Sequence, residues 1–302
     1  MSSGVTVETR RPHRDGLLYL TNGSLSAAIA PLGAELQSLR SSNGREWLWQ
    51  GDPAYWSGRS PILFPVIGPS PNGHISIGGQ SFPMRSHGIA RTSMFNLVDR
   101  DARSCRLRLV DTAQTRESFP RAFRVDIIFV LFEQTLAITA EIENTGPVVM
   151  PFSFGFHPGF PWPLPAASGK PHLLRLDDGA EPKMRRMDAQ GFIGDAESSF
   201  FREGRMHLDP TQFERGAIIH EADWGNRIVF GVAGGPEVAI TVAGLPSLGL
   251  WTRPGAPFLC IEPWHGLPVR AGAGDDIEER PGIIFLDAGD TRTMSLAIAV
   301  SG

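Results

Sequence analysis

Phe123-Arg-Val-Asp-Ile-Ile-Phe-Val-Leu-Phe132 is apolar almost throughout, rich in β-branched and aromatic residues, and followed by turn formers. That composition predicts a strand covered on both faces. Upstream, Cys105-Arg-Leu-Arg-Leu109 alternates, with Cys105, Leu107 and Leu109 on one face and Arg106 and Arg108 on the other. The same period of two recurs at Leu136, Ile138, Ala140 and Ile142, and at Met294, Leu296, Ile298 and Val300. A covered strand beside half-buried ones requires two layers of sheet.

The 34 glycines and 25 prolines are scattered along the chain, as expected of many short strands joined by turns. Only Asp52-Pro53 and Asp209-Pro210 read as starts of short helices, with aspartate as cap and proline in the first turn. There is no internal repeat, low-complexity tract or βαβ rhythm. The expectation is an all-β chain: a single large antiparallel β-sandwich over 17–302 with few short helices. A flexible polar tail over 1–16, carrying Arg10, Arg11 and Arg14, precedes it.

At 302 residues and 41% hydrophobic content the chain can supply a sizeable core. A formal net charge of -4 lacks the basic field that nucleic-acid binding requires. No apolar run approaches the roughly 18 residues of a membrane span, and none follows the basic N-terminus as a signal peptide would need. The two cysteines, Cys105 and Cys260, sit in apolar alternating stretches and read as buried thiols of a cytoplasmic protein.

No G-x-S-x-G, G-x-G-x-x-G, Walker loop, H-E-x-x-H or paired C-x-x-C occurs, which removes the usual support for hydrolase, dinucleotide and zinc chemistry. None of the eight histidines is spaced from another as metal ligands on one element are. A metal site would need a non-local cluster, and none is expected.

Three loop segments, 56–91, 150–166 and 252–275, are rich in Pro, Gly, Trp and His, the mark of loops that carry function. His157 ends the apolar run Pro151-Phe-Ser-Phe-Gly-Phe-His157 just before a proline. Glu262 stands among Phe258-Leu-Cys-Ile261 and Pro263-Trp264-His265, where a carboxylate is rarely tolerated unless paired or functional. His87 lies in Met84-Arg-Ser-His-Gly-Ile-Ala-Arg91. By residue type alone, His157 could serve a backbone carbonyl, Glu262 an arginine, and His87 could be a surface residue beside Gly88.

Taken together, Tyr55-Trp-Ser-Gly-Arg-Ser-Pro-Ile-Leu-Phe-Pro-Val-Ile-Gly68, Ser86-His-Gly-Ile-Ala-Arg91, Gly155-Phe-His-Pro-Gly-Phe160 and Leu250-Trp-Thr-Arg-Pro-Gly-Ala-Pro-Phe-Leu-Cys-Ile-Glu-Pro-Trp264 resemble the aldose 1-epimerase family of galactose mutarotases and their bacterial relatives. Leu20-Thr-Asn-Gly-Ser-Leu-Ser-Ala-Ala-Ile-Ala-Pro-Leu-Gly-Ala-Glu-Leu36 resembles the family's opening hairpin, and the similarity runs from about Leu17 to Val300. The resemblance implies a galactose mutarotase-like supersandwich that interconverts the α and β anomers of an aldose without metal or cofactor. Glu262 matches the general base and His157 the general acid, acting from opposite sides of the sugar. His87 and Arg59 match groups that hold sugar hydroxyls, and Asp223 resembles a hydroxyl-binding aspartate. Trp251, Trp264 and His265 are expected to line the pocket.

The implied partner is a monosaccharide, free or phosphorylated, taken by a monomer or homodimer with no nucleic-acid or membrane partner. After Gly68 many relatives carry a basic residue, whereas this chain reads Pro69-Ser70-Pro71. That departure leaves open a sugar-binding protein without catalysis. A glycosidase or lyase on the same type of sandwich is the other alternative, with Glu262 and Asp223 as its carboxylate pair.

Overall fold

The computed structural model describes residues 16–188 and 190–302, so the tail expected over 1–16 lies, Gly16 apart, outside the described residues. Two large antiparallel sheets face each other. The nine-stranded sheet runs, in spatial order, Arg205–His207, Leu173–Leu176, Arg227–Gly231, Glu237–Ala243, Thr291–Ser301, Thr135–Asn144, Phe123–Phe132, Ser104–Val110 and Asn96–Arg100. The eight-stranded sheet runs Ile193–Glu197, Met184–Met187, Ile218–His220, Ser247–Trp251, Phe258–His265, Phe154–Phe156 and Ile62–Leu63, with Gly159–Pro161 also paired to Phe258–His265. A three-stranded sheet of Leu18–Thr21, Leu25–Ala30 and Glu35–Ser41 contributes to the same core.

The alternating stretches pack as their period demands. Leu136, Ile138, Ala140 and Ile142 pair in register with the strand carrying Leu296 and Ile298, and all are buried. They meet Phe154, Phe156, Leu248, Leu250, Leu259 and Ile261 of the opposing sheet in one continuous apolar core.

Phe123–Phe132 departs from its expected double coverage. Val125, Ile127, Phe129 and Leu131 enter the core, but on the outer face Val130 and Phe132 are 39% and 65% exposed. Asp126 is fully buried on that face beneath arginines from the neighbouring strand, with Arg106 Nη1 at 2.9 Å and Arg108 Nε at 2.7 Å. Burial alone would raise its pKa, but hydrogen bonds from Arg108 and Arg106 outweigh that and leave it lowered.

Of the two helix starts, Asp209 caps the short 3₁₀ turn Pro210–Phe213, accepting from the Thr211 amide at 2.8 Å. Asp52 opens only a turn, its Oδ1 accepting from the Ala54 amide at 2.9 Å. Both cysteines are free and buried. No described helix is long and apolar enough to cross a membrane.

The segment that carries His87 is fastened to the core by backbone hydrogen bonds and by the buried side chains of Met84 and Ala90. Ile89 N donates to Phe64 O at 2.8 Å and His87 N to Gly68 O at 3.0 Å. Gly88, at φ +78°, passes so close that a Cβ there would stand 2.1 Å from Phe64 O. Gly88→Ala is therefore expected to cost at least about 2 kcal/mol, above the roughly 1 kcal/mol of an unobstructed left-handed position. Thermal unfolding should show a drop of several degrees, and an unchanged midpoint would contradict this account.

Candidate active site

The site follows from strand Phe258–His265, which is buried on both faces. Leu259 and Ile261 enter the core between the sheets. Phe258, Cys260, Glu262 and Trp264, of opposite parity, project from the other side of the eight-stranded sheet. Opposite Glu262 the neighbouring strand places Gly249. A Cβ at Gly249 would lie 2.6 Å from the Trp264 indole, so only glycine lets that ring rest on the sheet.

A cavity of about 430 Å³ opens over this face, lined among others by Trp56, His87, Arg91, His157, Trp251, Arg253, Glu262 and Trp264. Its size suits a small ligand. Larger clefts of about 560 and 520 Å³ lie elsewhere and lack His157 and Glu262.

At the cavity's base His157 Nε2 and Glu262 Oε2 are 3.1 Å apart, both side chains buried. The imidazole stacks on Trp56, with ring centroids 5.0 Å apart at 29°, and meets the edges of His87 and Trp251 at 5.6 and 5.8 Å. Burial pushes the Glu262 carboxyl well above its ordinary value of 4.5. It drives His157 well below 6.5, with His87 and Arg91 adding to the effect. Both shifts favour a pair that carries one proton and is neutral as a whole.

Expectation and geometry differ here. A sugar ring cannot pass between groups 3.1 Å apart, so the pair does not flank a ring from opposite sides. It faces one edge of a ligand, where two neighbouring oxygens can be reached together. Nor is His157 an ordinary histidine protonated near neutrality, because desolvation opposes its charged form.

His87 is locked in place: its Nδ1 accepts from the Gly68 amide at 3.3 Å. A backbone N–H can only donate, so the proton of the neutral ring sits on Nε2. Burial, then the charges of Arg91 and Arg280, push its pKa down to about 3, which keeps it neutral.

The other expected residues divide. Trp251 and Trp264 line the cavity. Arg59 does not: its Nη1 donates to Gln37 Oε1 and its backbone N to Glu35 Oε1 at 2.8 Å, tying it to the three-stranded sheet. His265, odd in the alternation, turns away and its Nδ1 meets Gly244 O at 2.9 Å. Asp223 is an exposed loop residue at φ 62° in a separate cleft with Arg185 and Glu221, so it is not brought together with Glu262.

Sequence reasoning gave no role to Arg91 and Arg253, although both lie inside the quoted segments. Their guanidinium groups make no hydrogen bond or ion pair with described residues and face the cavity. Asp188, Gln190 and Gly191 complete the wall from a loop with no sequence signal. Where a basic residue was sought after Gly68, Arg280 instead supports the segment from behind, donating to Ile67 O at 2.9 Å, Pro69 O at 3.0 Å and Ser70 Oγ at 3.1 Å. Its burial lowers its pKa to about 10, which still leaves it charged.

Comparison with known proteins supplies the frame for this geometry. A family model described as aldose 1-epimerase matches residues 16–177. The plasmid-encoded protein LacX of Lactococcus lactis subsp. lactis is 26% identical over 299 residues, covering 94% of this chain and 99% of that protein. A galactose mutarotase-like protein from Lactobacillus casei superposes with a TM-score of 0.89 at 28% identity, covering 95% of this chain and 100% of the other. A galactose mutarotase related enzyme from Lactobacillus acidophilus gives the same TM-score of 0.89 at 24% identity over 95% of this chain and 97% of the other, a likeness of fold. The matched segment spans more than half of the chain and contains His87 and His157, and the chain belongs to the aldose 1-epimerase family.

Proposed function

We propose that the protein is an aldose 1-epimerase that opens and recloses the cyclic hemiacetal of a monosaccharide, with Glu262 as base and His157 as acid. The observation that carries this reading is the 3.1 Å contact between a carboxylate and an imidazole, both buried and both lining one sugar-sized cavity.

Ring opening must take a proton from the anomeric hydroxyl and give one to the ring oxygen. Those two oxygens share one carbon, so adjacent acid and base can serve both. With the pair's proton moved across the 3.1 Å contact onto His157, Glu262 takes the hydroxyl proton while His157 delivers that proton to the ring oxygen. The C1–O5 bond breaks and an aldehyde forms. Rotation about C1–C2 and the reverse transfers close the ring on the other face, which returns the proton from Glu262 to His157 with the pair's proton count unchanged throughout. Desolvation makes the ionised carboxylate a stronger base and the imidazolium a stronger acid, so the low-dielectric floor favours each transfer.

The neutral His87, with its proton on Nε2, is a donor for a sugar oxygen, and Arg91 and Arg253 are unpaired donors at the rim. Trp56, Trp251 and Trp264 offer faces to the C–H side of the ring. The Glu262–Asp223 pairing that a glycosidase reading needs is not made, since the two residues line different cavities.

Polarimetry or NMR on freshly dissolved α-anomers of free and phosphorylated aldoses should register equilibration faster than in buffer. Binding of a sugar without faster equilibration would instead mean a binding protein that has lost catalysis. Glu262→Gln should lower kcat by about 10²-fold or more with little change in KM, and His157→Asn should do the same. Near-native turnover in either variant would remove that residue from the chemistry.

The activity should fall on the acid side as the pair takes up a second proton and on the alkaline side as it loses the one it holds. Because burial opposes both charged extremes, the acid limb should lie below 6.5, the ordinary histidine value. A limb centred at that ordinary value would argue that a solvent-exposed histidine controls the rate.

A further inference from the structure

The strand that supplies Glu262 also supplies Cys260, two residues earlier on the same face, and the proposed chemistry has no use for its thiol. An imidazole nitrogen of His157, Cys260 Sγ and a carboxylate oxygen of Glu262 all lie within 4.8 Å of one another, and all three residues are buried. The sequence concealed this cluster because His157 lies on a different segment from the other two.

We propose that His157, Cys260 and Glu262 form a binding site for a thiophilic divalent cation of the zinc type, and that the bound ion occupies the acid–base pair and stops turnover. The donor set is one sulfur, one nitrogen and one oxygen, the mixture that tetrahedral Zn²⁺ accepts. Bonds of about 2.0 Å to nitrogen and oxygen and about 2.3 Å to sulfur put tetrahedral donors roughly 3.3–3.6 Å apart. His157 and Glu262 already stand at 3.1 Å, so the thiol needs to close by no more than about 1.3 Å.

His157 and Glu262 line the cavity, which gives an ion, and water to complete its coordination, a path to the cluster. A second imidazole, His87, stands with its ring 5.6 Å from that of His157 and adds no charge to repel a cation. Among the described residues His157 Nδ1 is buried without a hydrogen-bond partner, and the ring is held by its Nε2 contact with Glu262, which a bound ion would replace. Binding releases the thiol proton and the proton shared by His157 and Glu262.

Ion binding rests on the donor geometry alone, whereas inhibition rests on the mutarotase reading. Titrating the reduced, full-length protein with Co²⁺ should give thiolate-to-metal absorption saturating at one equivalent and displaced by Zn²⁺. The absorption should persist in Cys105→Ser, which removes the other cysteine, and vanish in Cys260→Ser. Glu262→Gln should weaken Co²⁺ binding by well over about 100-fold, beyond what loss of an outer-shell partner causes.

Where anomer exchange is catalysed, Zn²⁺ should inhibit it, a chelator should restore it, and Cys260→Ser should keep its turnover at Zn²⁺ concentrations that silence the parent. Absence of the absorption, or its loss with Cys105 rather than Cys260, overturns the site. Absorption as described in a protein that never accelerates anomer exchange supports the cation site and refutes only the assigned activity.

Discussion

The burial of Glu262 against His157, 3.1 Å apart, is the constraint on which the site depends. Two ionisable groups are placed where neither charge is well solvated, with no lysine or arginine among the described residues bonded to either. A fold that needed only rigidity would be served better by apolar side chains, since burying ionisable groups costs free energy unless partners compensate. The contact at 3.1 Å offsets part of that cost, and the remainder is held in the raised carboxyl and lowered imidazole pKa values. Such opposed shifts are what acid–base chemistry near neutral pH uses.

The sandwich makes this placement tolerable by giving strand Phe258–His265 two buried faces. Leu259 and Ile261 anchor it in the core, so the backbone beneath Glu262 is fixed by packing rather than by the site itself. On the other face Trp264 lies flat over Gly249, and Trp56 covers the imidazole. His87 arrives from a distant loop whose path is set by backbone hydrogen bonds to Phe64 and Gly68. Each group is held by an element anchored elsewhere, which is how a polar constellation survives within an apolar surround.

Period-two alternation made the strands legible, because a face buried in the core leaves its mark on every second residue. At Phe123–Phe132 the same reasoning overreached: Val130 and Phe132 are apolar yet exposed, and Asp126 is charged yet buried under arginines of the adjacent strand. Local composition cannot say which neighbour supplies the covering. Glu262 and His157 stood out since each breaks an apolar pattern, and breaking it has a physical cost that demands a reason. Arg59 and Asp223 break no pattern; their assignment rested on resemblance, and the geometry takes Arg59 to Gln37 and Asp223 to another cleft. Asp188 and Gln190 were invisible for the opposite reason, being polar residues in a polar loop.

The neutrality of the paired site also bears on how a sugar would be held and released. A permanently charged floor would bind its counter-charge in every state along the reaction, lowering ground and transition states together. A pair that is neutral as a whole, but can separate charge between two atoms, adds stabilisation only as protons begin to move. The fixed charges of Arg91 and Arg253 stand at the rim instead, where water screens them and they can orient a ligand without tightening uniformly around it. Charge at the mouth and a mobile proton at the floor thus divide recognition from chemistry.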